Sequence, residues 1–167
     1  ASASDFLAGH INAGVFLINF SGHGGGAVWS DNLSFTLGDL AKLHNGQWGR
    51  SGRLPIVLSF TCLTGYFESA FYPSLGEEFL RAGSNGAICF YGAAGYSKLS
   101  GDIKLDRIIL DNALNGSFET VGELLTTSEM LMLVNYGEDI LTVIRQYNLL
   151  GDPALPWALP PDTLSLS

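Results

Sequence analysis

Two short apolar runs, each stopping at a residue that can do chemistry, constrain this chain more than any other feature. Phe16-Leu17-Ile18-Asn19-Phe20 runs into Ser21-Gly22-His23-Gly24, and Leu54-Pro55-Ile56-Val57-Leu58-Ser59-Phe60 runs into Thr61-Cys62. Aliphatic and aromatic density over so few residues is the composition of a strand buried on both faces, which is the habit of parallel sheets. In an open α/β sheet the reactive crevice lies outside the carboxyl ends of the strands. Two parallel neighbours of this kind would set His23 beside Cys62, a thiol next to its base.

The rest of the chain is compatible with such a sheet. With 167 residues, 47% of them apolar, it suits one domain with a sizeable core. Charged residues make up only 14%, and 21 glycines imply many tight turns. A formal net charge of −8 argues against nucleic acid or an anionic membrane as partner and weakly favours cationic substrates. No apolar run approaches a membrane span, and no signal-peptide pattern opens the chain. Cys62 and Cys89 are too few for a disulfide framework and have no zinc-ligand spacing around them.

In chain order, Ala1 to Ser4 reads as a loose end, and Phe6, Leu7, Ile11 and Ala13 as the last turns of a helix ending near Gly14, before a strand over 15–21. Gly22 to Gly26 is a glycine-dense turn, and 27–31 a loop anchored by Trp29. Thr36 with Asp39 predicts a capped helix ending at Asn45-Gly46, followed by a polar loop over 47–53. Ser74 with Glu77 caps a helix whose apolar face is Leu75, Phe79, Leu80 and Ala82, closed by Gly83. Residues 86–92 form a third buried strand. Helices follow over 102–115, from the Thr120/Glu123 cap to about Val134, and over 138–146, and Leu155-Pro156 begins a strand-to-linker exit. Strands alternating with helices imply a parallel sheet covered on its faces.

His23-Gly24-Gly25-Gly26 admits three functional readings. The oxyanion turn of lipases fails, because no serine here has glycine at both −2 and +2. A dinucleotide loop through Gly22, Gly24 and Ala27 lacks an immediate helix and a ribose-binding acid. The third is a base at a strand end, flanked by glycines so that substrate backbone can approach and a peptide N–H can face a developing oxyanion. Beside it, the Cys62 thiol could be activated to attack a carbonyl and form an acyl-enzyme. The competing reading of Cys62 is a small buried hydrophobe, the role assigned to Cys89. His10 and His44 have no reactive company. Trp29, Trp48 and Trp157 read as packing residues, although Trp29, beside the histidine turn, could also wall a substrate pocket. Asp31, Glu68 and Glu77 could orient His23, with Glu77 better explained as a cap.

These residues together resemble the gingipain family of cysteine peptidases, in the caspase-like clan. The resemblance rests on Ser21-Gly22-His23-Gly24 followed by Trp29, Cys62 with Gly65 and Phe67, Leu75-Gly76-Glu77, Gly86-Ala87, and Leu150-Gly151-Asp152-Pro153-Ala154-Leu155. It runs from about residue 10 to residue 157. It implies a caspase-like three-layer α/β/α fold with a mainly parallel sheet, lacking the N-terminal strands that family domains carry before the histidine strand. Residues 1–157 would be the C-terminal portion of the peptidase domain, and 158–167 an exit segment.

Carried across, the resemblance implies Cys62 as nucleophile, His23 as general base or acid, and the backbone amides of Gly24 and Cys62 as oxyanion hole. Trp29 and the segment Tyr91, Gly92, Ala93, Ala94, Gly95 and Tyr96 would bind substrate. It implies a polypeptide substrate, a secreted or cell-surface bacterial setting, and no cofactor, with structural calcium allowed but no contiguous oxygen-ligand loop in view. A missing N-terminal half would expose an apolar edge strand and invite another chain or another copy. Two rival functions share these residues: a non-catalytic interaction domain that retains the cysteine and histidine, and a transpeptidase whose acyl-enzyme is resolved by an amine.

Overall fold

The computed structural model describes residues 2–30, 35–46 and 54–158. Expectations for Asp31, Trp48, the 47–53 loop and the segment beyond 158 fall outside the described residues. Helix α1 spans Ala3–Gly14. Ser2 is its cap and not a loose end: its Oγ accepts from the Asp5 amide at 3.2 Å, and its own amide donates to the Asp5 carboxylate at 3.0 Å. This reciprocal pairing satisfies donors that a helix start leaves open.

The strands are β1 (Leu17–Ser21), β2 (Gly24–Gly25), β3 (Val28–Trp29), β4 (Phe35–Thr36), β5 (Ile56–Phe60), β6 (Cys89–Ala93) and β7 (Tyr147–Leu150). The main sheet has the order β1-β5-β6-β7. β1 and β6 both run parallel to β5, and β7 is antiparallel to β6. The short β2, β3 and β4 form a separate antiparallel sheet. The turn and loop expected over 22–31 are therefore a small sheet as far as residue 30, because pairing with β3 and β4 organises the glycines into strand.

Helices α2 (Leu75–Arg81), α3 (Leu99–Asn115), α4 (Val121–Tyr136) and α5 (Leu141–Ile144) complete the elements. All five residues of β5 and of β6 are buried, as expected for strands covered on both faces. Their side chains alternate between two cores. Ile56, Leu58, Phe60, Cys89, Tyr91 and Ala93 face the layer of α3, α4 and α5, whereas Val57 and Phe90 face α1, α2 and the small sheet. The domain is a caspase-like α/β fold with three layers and a mainly parallel sheet.

Some boundaries differ from expectation. The helix capped by Thr36 and Asp39 is only a 3-10 segment, Leu37–Lys42. Beyond it Asn45 turns inward, donating to Gly86 O at 2.8 Å and accepting from Gly86 N at 2.9 Å. The third strand starts at Cys89 because the backbone of Gly86 is engaged by Asn45 and Ile88 N donates to Pro55 O at 3.0 Å. The 138–146 helix shortens to a 3-10 turn, Glu138–Ile140, plus α5, and the chain then enters β7. Leu155-Pro156 contributes only a single bridge, Thr120 with Pro156.

Candidate active site

The site is built by strand register. Parallel pairing of β1 and β5 matches Ser21 with Phe60, and the Gly22 amide donates to Phe60 O at 3.3 Å. His23 and Cys62 each lie two residues beyond that matched pair, at one carboxyl end of the sheet. His23 is exposed and Cys62 half-buried, so both are open to a reactant.

The histidine turn is held from below. Gly24 pairs with Trp29 and Gly25 with Val28, and the Ser30 amide donates to His23 O at 2.9 Å. Gly24 lies so close to Thr61 that a Cβ there would stand 2.6 Å from the Thr61 hydroxyl oxygen. Glycine is required at that point by contact. Trp29 is fully buried, and its indole N–H donates to Ser59 Oγ at 2.8 Å, which in turn shares a hydrogen with Thr64 Oγ1 at 2.9 Å. A buried indole needs an acceptor, and here its acceptor lies on the cysteine strand. Trp29 is thus an anchor between the two strand ends, which corrects the expectation that it walls a pocket.

The turn after Cys62 is equally constrained. Leu63 has φ +64, a left-handed conformation uncommon outside glycine, asparagine and aspartate. Its amide donates to Gly95 O at 3.0 Å, the Gly65 amide to Ala93 O at 2.9 Å, and the Leu75 amide to Gly26 O at 2.6 Å. The cysteine loop is therefore stitched to the end of β6, and the start of α2 to the histidine turn.

The 91–96 segment divides. Tyr91 is buried and donates to Glu129 Oε1 at 2.7 Å, and Gly92 and Ala93 are buried within β6. These three lie in an interior strand, between β5 and β7. Ala94, Gly95 and Tyr96 instead border a hollow of about 380 Å³ with Gly26, Leu63, Tyr66 and Tyr72. Tyr96 is largely exposed there, with its carbonyl fixed by Gln146 Nε2 at 2.9 Å.

Among the other candidates, Glu77 caps α2, its Oε2 accepting from the Ser74 amide at 2.8 Å, and Glu68 is exposed. His10 is exposed and packs on Phe6. Cys89 is fully buried, and burial pushes its thiol up to about 12. A thiol so held is a poor nucleophile at neutral pH. Among the described residues no three His, Cys, Asp or Glu side chains gather as metal ligands.

Sequence reasoning missed the polar group around Cys62. Cys62 Sγ stands 3.6 Å from both the carbonyl and the hydroxyl of Ser97, and Ser97 Oγ donates to Asp102 Oδ2 at 2.6 Å. Tyr147 Oη donates to Asp102 Oδ1 at 2.8 Å. Burial raises the Asp102 carboxyl above its ordinary range against the pull of these two bonds, and burial likewise raises the Tyr147 hydroxyl, with the Asp102 charge adding to it. An acid in the first turn of a helix reads as a partner of the helix dipole, so no local signal distinguished Asp102.

A parallel sheet carrying a histidine turn and a cysteine turn at the same end defines the fold class of the caspase-like peptidases. The model of peptidase family C25 matches residues 1–158, and the chain belongs to that family. It is 22% identical over 152 residues to gingipain R2 of Porphyromonas gingivalis, covering 86% of this chain and 20% of that protein. It is likewise 22% identical to gingipain R1 of the same organism, covering 86% of this chain and 15% of the relative. The chain thus spans a fifth or less of the curated relatives it matches.

Among solved structures, the Arg-specific cysteine proteinase gingipain R superposes with TM-score 0.77 at 20% identity, covering 93% of this chain and 36% of that one. A complex of the pro- and mature domains of Porphyromonas gingivalis RgpB superposes with TM-score 0.75 at 19% identity, covering 93% and 37%. At these identities the structural likeness speaks to the fold.

Proposed function

We propose that this chain is the portion of a gingipain-like cysteine endopeptidase that carries the nucleophile, Cys62, and its base, His23. The observation that carries the reading is the β1–β5 register, which brings the two turns to one end of the sheet in a C25 family chain. His23 takes the thiol proton as Cys62 Sγ attacks the scissile carbonyl, forming a C–S bond and an oxyanion that the Gly24 and Cys62 amides receive. Collapse breaks the C–N bond, and His23 returns the proton to the departing amine. Water, deprotonated by His23, then attacks the thioester, releasing the carboxylic product and the thiol. Ala94, Gly95 and Tyr96 are the part of the 91–96 segment placed to meet substrate main chain.

On the same reading the protein acts on polypeptides at a bacterial cell surface or outside the cell. A further chain or segment pairing with β1 fits the same picture, because β1 ends the main sheet and no strand among the described residues covers its outer edge.

The test is intact-mass analysis after incubation with peptidyl acyloxymethyl ketones bearing Arg, Lys, Asp or Leu at P1, with His23→Ala alongside. Fast, P1-selective labelling of Cys62 that is lost in His23→Ala is the expected result. Slow labelling, equal across P1 residues and indifferent to His23, overturns the peptidase reading for this chain. Adding an amine nucleophile to a turnover assay separates hydrolysis from transpeptidation by the product formed.

A further inference from the structure

The partners of the Cys62 thiol have a directional chemistry. A hydroxyl has one proton to give. That of Ser97 is committed to Asp102 at 2.6 Å, so toward Cys62 Sγ the Ser97 oxygen presents only lone pairs. The Ser97 carbonyl, also 3.6 Å from Sγ, can only accept as well. Either neighbour can take the S–H of Cys62, and neither can donate to its sulfur.

The acceptor pair is rigidly mounted. Asp102 is 3% exposed, and Tyr147 occupies its second oxygen, so the carboxylate cannot rotate away without leaving a buried donor unpaired. Tyr147 is itself stacked on Tyr91 at 5.3 Å. The loop before Ser97 is pinned to the residues preceding β7: the Ala94 amide donates to Gln146 O at 2.7 Å and Gln146 Nε2 donates to Tyr96 O at 2.9 Å.

We propose that Ser97, locked by Asp102 and Tyr147, is a positioning residue that accepts the Cys62 S–H between turnovers, so that the sulfur is freed for attack only when a base draws the proton away from this clasp. The proposal deepens the peptidase reading and rests on it for its meaning in catalysis. It makes the resting enzyme sluggish toward small electrophiles while leaving substrate-driven attack intact.

The experiment compares rates of Cys62 alkylation by iodoacetamide at neutral pH in the native chain, Ser97→Ala and Ser97→Thr, by peptide-resolved mass spectrometry, with thermal unfolding of each. Loss of one acceptor in Ser97→Ala raises the rate by about fivefold, the scale of one net hydrogen bond. Ser97→Thr, which keeps the oxygen, retains the native rate. Unfolding midpoints and the inertness of buried Cys89 stay as in the native chain. An unchanged or slower rate in Ser97→Ala, a Ser97→Thr rate matching that of Ser97→Ala, or Cys89 labelling that rises in step with Cys62 overturns the proposal. Iodoacetamide reports only the thiol's surroundings, whereas the peptidyl ketones report His23-dependent catalysis, so either reading can fail while the other stands.

Discussion

The two faces of the central sheet are built from different chemistry, and each supports one half of the site. The face under α1, α2 and the small sheet is an aromatic stack. Trp29 meets Phe20, Phe35, Phe79 and Phe90 at centroid distances of 4.9, 5.8, 5.6 and 6.4 Å. The Trp29–Ser59–Thr64 hydrogen bonds link that stack to the cysteine strand. The opposite face, under α3, α4 and α5, is threaded with polar pairs: Tyr91 on Glu129 and Tyr147 on Asp102, which titrate, and Asn112 on Ser128, which does not. Packing fixes the histidine turn, and hydrogen bonding governs the surroundings of the thiol. A site that needs one immobile backbone and one proton-responsive side chain benefits from this division.

The sharpest way to break the contrast is Trp29→Ala, which empties the centre of the aromatic face. It should cost about 3–5 kcal/mol in denaturant unfolding and abolish His23-dependent labelling of Cys62. A cost under about 1 kcal/mol would mean that the stack is not what holds the histidine turn. Next is Gly65→Ala. Its Cβ would lie 2.7 Å from Gly92 O, a backbone atom that cannot swing aside. We expect a loss of about 1–3 kcal/mol together with slower ketone labelling, because the cysteine loop must part from β6.

Thr61→Val should act the other way. The Thr61 hydroxyl is buried and has no partner among the described residues, so removing it should stabilise the fold by about 1 kcal/mol in the same unfolding assay. A clear destabilisation would reveal a partner for that oxygen.

The smallest effect is in pH, where the two faces should have opposite signs. On the α3–α4 face burial raises Asp102 above 3.8 and Glu129 above 4.5. The unfolded chain gives up those protons first, so their contribution to stability declines as pH rises from about 4 through the raised native values. On the other face burial works to raise Asp39, but bonds from Thr36 and Lys42 outweigh it and hold the carboxyl at about 2 against 3.8. That stability is present above 3.8 and is lost as pH falls toward 2. Unfolding free energies measured against pH should show a smaller acid limb in Asp39→Asn and a smaller rising-pH decline in Asp102→Asn. Identical profiles in the two variants would remove the distinction.

Much of the arrangement was legible before any coordinates. The apolar runs ending at His23 and Cys62 are local signals of buried strands, and the Ser74/Glu77 cap is a local pairing of a side chain with a nearby amide. β7 was not legible, because Tyr147-Asn148-Leu149-Leu150 is too short to show alternation and becomes strand only by pairing with β6. The role of Trp29 was misread for a related reason. Its proximity to His23 in sequence suggested a pocket wall, while half of its aromatic neighbours, Phe79 and Phe90, and the acceptor of its indole N–H, Ser59, come from α2, β6 and β5, remote in the chain. The Ser97–Asp102–Tyr147 group joins residues up to 50 positions apart around Cys62 by a path that no spacing rule describes.

The sequence by itself determined the three buried strands β1, β5 and β6, the caps at Thr36, Ser74 and Thr120, and the strand-end residues His23 and Cys62, since each depends on neighbours within a few positions. Only the tertiary structure decided which side chains stand around the thiol and whether they donate to it or accept from it. That choice depends on where the single proton of a hydroxyl goes, and in Ser97 it goes to a carboxylate held in place by the far end of the chain.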